Sequence, residues 1–250
     1  MADLLQPDAT FVVLDIATGA GHMALRVAPE VAAVVAADLA PEMLAQVEAL
    51  TAERGITNIT TSRQDVEHLD FDDDHFDAVI CRIAPHHFTD IAAAMGQIAR
   101  VIKPGGVFVL EDSCSPEEPE LAEFINRVEA LRDPTHVWSY PASRWSELCH
   151  TAGLVVEAVD RFPKRHRIED WMERSATSPD VREQVRAAFR AAPAAVRERF
   201  DITFDERPDT DGDPSGPTPH GGVPVSYRDE KILLRARKPG APTPPGPPGR

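Results

Sequence analysis

The stretch Val12-Val13-Leu14-Asp15-Ile16-Ala17-Thr18-Gly19-Ala20-Gly21-His22 decides how the chain is read. Its first five residues, four of them apolar, suit a buried strand. The small residues that follow let the backbone turn sharply, with Gly19 and Gly21 free to approach a ligand closely, and Met23-Ala24-Leu25-Arg26-Val27-Ala28 starts a helix. A strand that breaks into a glycine turn and a helix opens an α/β unit, and the turn is a backbone cradle for a nucleoside-bearing ligand.

The string Gly19-x-Gly21-x-x-Ala24 satisfies the dinucleotide fingerprint with its permitted final alanine. Asp15, however, closes the strand where a diphosphate would rest on the helix N-terminus, and its charge opposes that ligand. A ligand with an ammonium group and no phosphate, such as S-adenosylmethionine, tolerates or uses the carboxylate. A second apolar run, Val31 to Ala37, ends on Asp38, an acid about twenty residues past the glycines that can accept from both hydroxyls of a ribose. That feature serves either cofactor. A third strand, Asn58 to Ser62, leads to Gln64-Asp65-Val66, whose carboxylate suits an adenine amino group.

Together with Arg100-Val101-Ile102-Lys103-Pro104-Gly105-Gly106, these segments resemble, in order, the motifs of class I S-adenosylmethionine-dependent methyltransferases. The nearest likeness is to the small-molecule branch that includes the quinone-biosynthesis C-methyltransferases. The resemblance covers roughly the first two thirds of the chain. It implies that Asp15, Ala17 and Gly19 line the methionine part, Asp38 the ribose, and Asp65 with Val66 the adenine. Gly21, His22, Leu39, Met43 and Arg82 join the cofactor-facing set on the same ground. One departure stands out: the family often folds an N-terminal helix over the cofactor, whereas here the first strand begins at Val12. Either closure of the pocket is expected from elsewhere, or this chain is an N-terminally shortened form.

A length of 250 residues and 42% hydrophobic content provide for one large domain, with or without an inserted cap. The net charge of −15 argues against a nucleic-acid partner, since such binding draws on lysine and arginine neutralising phosphates. Ala84-Pro85-His86-His87-Phe88 also lacks the Asp/Asn-Pro-Pro-aromatic motif of amino-methylating DNA enzymes. Neither a leader nor a membrane-length apolar run is legible, so a cytoplasmic protein without a membrane span is expected. Cys81, Cys114 and Cys149 are odd in number and lack metal-type spacing, as fits reduced thiols. No metal is expected: the acids of Asp70 to His75 precede a strand and read as a solvated turn, and Glu111-Asp112 is too small a set for Mg²⁺.

Along the chain, Pro41 to Leu50 reads as a helix, Phe76 to Cys81 as a fourth strand, about Asp90 to Ile102 as a helix and Val107 to Leu110 as a fifth strand. Helices are expected over Pro119 to Leu131 and Arg144 to Ala152, before a strand at Leu154 to Val156. The fold class is therefore α/β, a doubly wound Rossmann-like sheet, mostly parallel, whose last strand, Tyr227 to Arg237, is antiparallel in the family it resembles. The expected division is a cofactor-binding core over 1–162 and 225–238, a helical cap over 163–205, a disordered loop over 206–224 and a disordered Pro/Gly tail over 239–250.

Methyl transfer is an in-line displacement that needs a positioned nucleophile and a place for its proton. His86 and His87 follow strand four and suit the general base; equally, they suit capping of the next helix and contact with the cofactor. His136, Trp138 and Tyr140 mark a loop that is either a substrate wall or a plug for the core. The expected activity is methylation of a small, partly apolar molecule. The alternative is a protein that binds S-adenosylmethionine without methyl transfer, as a regulator or a catalyst of rearrangement. The oligomeric state, a homodimer included, is left open.

Overall fold

The computed structural model describes residues 1–205 and 223–240. A single helical turn, α1 (Ala2–Leu5), precedes β1 (Val12–Ile16), α2 (His22–Val27), β2 (Ala33–Asp38), α3 (Pro41–Arg54), β3 (Ile59–Arg63) and β4 (Phe76–Arg82). Then come α4 (Ile91–Val101), β5 (Ile102–Cys114), α5 (Pro119–Arg132), α6 (Ala142–Thr151) and β6 (Val155–Arg167). The chain continues through α7 (Ile168–Glu173), α8 (Pro179–Arg190), α9 (Ala194–Arg199), β7 (Thr203–Phe204) and β8 (Pro224–Arg237). The strands form one sheet in the order β3-β2-β1-β4-β5-β8-β6, with β7 paired to β8 in antiparallel fashion. The pairs among β1 to β5 are parallel. Gly105 N–H donates to Lys238 O at 2.8 Å and Lys231 Nζ to Ser113 Oγ at 2.8 Å, so β8 runs against β5.

Local chemistry sets the boundaries. Pro41 opens α3, where its missing N–H costs nothing, and Gly55 closes it at φ 63°. Asp90 caps α4 by accepting from Ala93 N–H at 2.9 Å. His86 and His87 lie upstream of that cap in a separate 3-10 turn, Pro85–His87.

The described residues fall into two compact units. The first comprises 1–111, 145–160 and 233–240; the second 112–144, 161–205 and 223–232. In the first, Val13, Val34, Ala78, Ile80 and Val109 of the strands pack with Ala24, Val27 and Val47 of α2 and α3. In the second, Phe124 and Val128 of α5, Trp171 of α7, Phe189 of α8 and Tyr227 of β8 share one aromatic-rich core. That shared core is why α5 belongs to the second unit and not, as expected, to the cofactor-binding part.

Three expectations change. The N-terminus is not bare: α1 buries Leu5 to 1% exposure against the core that holds Val13. Residues 163–167, read as the start of the cap, extend β6, which as the last strand in the sheet order can hold Pro163 without losing a ladder bond. Pro224, read as the end of a disordered loop, opens β8. The remaining disorder readings, over 206–222 and 241–250, lie outside the described residues. Asp73 and Asp74 of the acid-rich turn pair with Arg100 and Lys238 at 2.8 and 2.7 Å. All three cysteines are buried. Among the described residues, no helix is long and apolar enough to cross a membrane.

Candidate functional site

The sheet reverses its winding between β1 and β4, the place where open α/β sheets hold ligands beyond the carboxyl ends of their strands. The register aligns Ile16 with Ala37 on one side and Cys81 on the other, so Ala17, Asp38 and Arg82 leave the sheet at one edge. A cavity of about 260 Å³ opens there, lined by the loop from Ala17 to Ala20, by Asp15, His22 and Met23, and by Arg82 and Ile83.

Asp15 organises the loop from beneath. Its side chain is buried at 1% exposure, and Oδ2 accepts from Thr18 Oγ1 at 2.5 Å and from Ala24 N–H at 2.9 Å. Burial pushes its carboxyl up to about 7, against the pull of those two bonds. Asp38 adds to the rise and Arg82 opposes it. Gly21 sits at φ 78°, and a Cβ there would meet Val47 Cγ2 at 2.9 Å, so side chains are barred both by conformation and by space. Gly19 has φ 54° with no atom within 4 Å of the Cβ position: the cradle is open on that side. Two non-glycine residues on the cavity wall also hold left-handed backbone, Ala17 at φ 49° and Ile83 at φ 52°. Ile83 is fixed by its N–H, which donates to Glu111 O at 2.7 Å. Such conformations carry strain and cluster where ligands bind.

Asp38 has a double engagement. Oδ2 accepts from Gly19 N–H at 2.8 Å and Oδ1 from Ala40 N–H at 2.9 Å, so the carboxylate is locked in one orientation while each oxygen retains a lone pair for a hydroxyl. Leu39 follows it with 60% of its surface exposed, an apolar shelf beside that carboxylate, and Met43 lies half-buried on the first turn of α3. Asp65 is exposed and turned into its own loop, where Oδ1 accepts from Glu67 N–H at 2.9 Å, and Val66 beside it is half-buried. Glu67 Oε1 in turn accepts from Thr89 N–H, Thr89 Oγ1 and Asp90 N–H at 2.8, 2.9 and 2.9 Å. This clamp between the loops after β3 and β4 had no signal in the sequence.

His86 is buried and His87 half-buried, their rings 4.1 Å apart and tilted by 46°. They follow Arg82 and Ile83 closely in the chain but are not among the residues that line the 260 Å³ cavity. A second cavity of about 630 Å³ shares His22, Met23 and Arg82 with the first and adds Met1, Ala2, Asp3, Arg26 and Glu111. Arg82 Nε lies 3.5 Å from Glu111 Oε1 in its wall. The N-terminal residues of this wall were missed because a four-residue helix is too short to show a period.

In the second unit, His136 is buried with Nε2 at 2.8 Å from Asn126 Oδ1, and the same oxygen accepts from Ser139 N–H at 2.6 Å. The ring is thus part of the packing of its own loop. Trp138, 36% exposed, points outward, and Tyr140 O accepts from Ser115 N–H at 3.3 Å. The loop combines an inward-facing plug with an exposed aromatic residue.

The residues fit S-adenosylmethionine on structural grounds. The cradle is open at Gly19, and a carboxylate held by the Gly19 and Ala40 N–H groups stands at the end of the next strand, an acceptor of the kind a ribose diol needs. Comparisons with known proteins agree. Residues 13–106 match the family described as methyltransferase domain. The uncharacterized methyltransferase YcgJ of Bacillus subtilis is 32% identical over 226 residues, 90% of this chain and 84% of that protein. Its crystal structure superposes with a TM-score of 0.88 over 96% of this chain and 97% of its own. The BH2331 protein of Bacillus halodurans C-125, 32% identical, gives 0.87 over 95% and 98%. The ubiquinone/menaquinone biosynthesis C-methyltransferase UbiE of Zymomonas mobilis is 29% identical over 171 residues, 68% of each chain.

Proposed function

Because this chain belongs to the class I S-adenosylmethionine-dependent methyltransferases and uses that cofactor, we propose that its acceptor is a small, partly apolar molecule bound in the 630 Å³ cavity. The supporting observation is that this cavity shares His22, Met23 and Arg82 with the cofactor cradle. Its size is that of a small-molecule site. Met1, Ala2 and Met23 offer apolar contact, while Arg26, Arg82 and Glu111 offer polar groups to orient an acceptor.

S-adenosylmethionine supplies an electrophilic sulfonium methyl group when bound. In this reading Gly19 and Gly21 let the backbone close on its amino acid part, Asp38 accepts from its ribose, and Leu39 and Met43 flank its base. Asp65 and Val66 lie at the adenine end. Proton removal is assigned to the His86–His87 turn, with His87 favoured for its position at the helix-proximal end; His22, a residue lining both cavities, is the second candidate.

The test is incubation of the full chain with methyl-labelled S-adenosylmethionine and a panel of small acceptors. Quinols belong in the panel because the UbiE relative is named for a quinone-biosynthesis step. S-adenosylhomocysteine formed in step with a labelled product supports the proposal. Tight cofactor binding with no turnover on any acceptor favours a protein that uses the cofactor without methyl transfer.

A further inference from the structure

At the opposite edge of the parallel strands, the first unit holds a third cavity of about 380 Å³, whose wall includes Phe11, Asp77, Lys103, Gly105, Arg235 and Arg237. Its floor comes from an irregularity in the sheet. Phe76 of β4 pairs with Ile102 and Ala78 with Val107, so Lys103-Pro104-Gly105-Gly106 is pushed out of the β4–β5 ladder. The loop is held tightly, since a Cβ at Gly106 would lie 2.7 Å from Asp77 O. Three cations, Lys103, Arg235 and Arg237, meet here in a chain whose net charge is −15.

The nearby carboxylates are already engaged. Asp77 accepts from Lys103 Nζ and from Val12 N–H, both at 2.8 Å, and Glu157 accepts from Arg235 Nε at 2.9 Å and Arg237 Nε at 2.5 Å. Among the described residues, two carboxylates therefore pair with three cations. Arg235 is only 6% exposed, and its Nη1 is buried with no hydrogen-bond partner among the described residues. A buried charged donor without an acceptor is costly, and Arg235 also lines a space that far exceeds one water, whose share of liquid volume is about 30 Å³. We propose that this cavity is an anion site that takes a phosphate group, with Arg235 as its central donor and Lys103 and Arg237 at its rim. A tetrahedral oxyanion can present separate oxygens to these donors and supplies the missing negative charge.

The test uses the full chain and inorganic phosphate, titrated by calorimetry and by melting temperature against sodium chloride at equal ionic strength. Phosphate should bind and raise the melting temperature beyond chloride, Arg235→Gln should weaken binding about tenfold or more, and Lys103→Gln should weaken it less. Cofactor affinity should be unchanged in both variants. Glycerol 3-phosphate binding more tightly than inorganic phosphate identifies a phosphomonoester as the source, and equal binding identifies free phosphate; either supports the site. No effect beyond chloride, an Arg235→Gln protein that titrates like the native chain, or phosphate competing with S-adenosylmethionine overturns it. Should Arg235→Gln fail to fold, native phosphate affinity in both Lys103→Gln and Arg237→Gln has the same force.

Discussion

Replacing Asp15 by Asn should change how stability depends on pH. The Asp15 carboxyl is raised from 3.8 to about 7, first by burial, so the folded state binds a proton more tightly than the unfolded chain does. Between those two values the folded state holds the extra proton, and stability must fall as pH rises through the window. That rise in pKa corresponds to about 4 kcal/mol at most, fully present as a penalty above about pH 8 and nearly absent at about pH 4. No discount for solvent screening applies, because the group is buried. Asn keeps an oxygen for the Ala24 N–H and Thr18 Oγ1 bonds but carries no charge. Whatever constant offset its amide brings, the stability of Asp15→Asn relative to the native chain should therefore improve by about 4 kcal/mol from pH 4 to pH 8. Urea unfolding of both proteins across that range measures it, since the other titrating groups cancel in the difference. A ligand ammonium near this carboxylate favours its charged form, so cofactor binding near neutral pH should release a proton in the native chain and none in the variant. Calorimetry in two buffers of unlike ionisation enthalpy reads this directly. Stability curves that run parallel from pH 4 to pH 8 would refute the reasoning.

Asp38→Ala should lower cofactor affinity by tenfold or more, on the basis of about 1.5–3 kcal/mol per charge-assisted bond, and should also loosen the glycine loop by freeing Gly19 N–H. Calorimetric affinity equal to the native value would contradict it. With an acceptor in hand, His87→Gln or His86→Gln should reduce turnover by roughly 10²–10⁴-fold with near-normal cofactor binding, and should abolish a rate limb rising through about pH 6.5. If the limb survives in both and vanishes in His22→Asn, the base is His22. Burial holds the Cys114 and Cys149 thiols up at about 11 and about 12, so a disulfide reagent should label neither in the native protein at neutral pH, and both after denaturation. Fast labelling without unfolding would count against the packing around them.

The cavity-bearing edge of the sheet was legible in the sequence because its chemistry is local: a strand end, an acid and two glycines lie within ten residues, and Asp38 follows one strand later. The closing position of the dinucleotide fingerprint was ambiguous, and Asp15 resolved it, although its role proved to be tying Thr18 and Ala24 as well as facing the cavity. What could not be read depends on pairing at long range. β6 carries Pro163 and a run of basic residues, and only its place at the end of the sheet makes that tolerable. α1 is one turn long, and its burial at Leu5 depends on residues beyond it in the chain. His136 carried the signature of a site residue, yet its ring serves Asn126. The Arg235 donor reads in sequence as one more charge on an amphipathic strand.

The Glu67 clamp has a mechanical consequence. One carboxylate oxygen holds three donors from Thr89 and Asp90, so the loop after β3 and the start of α4 are riveted together, with the two histidines just upstream of the rivet. A ligand that stiffens the first loop therefore stiffens the second. Order spreads from one end of the site to the other through a single side chain, and Glu67→Ala would uncouple the two loops without touching either ligand.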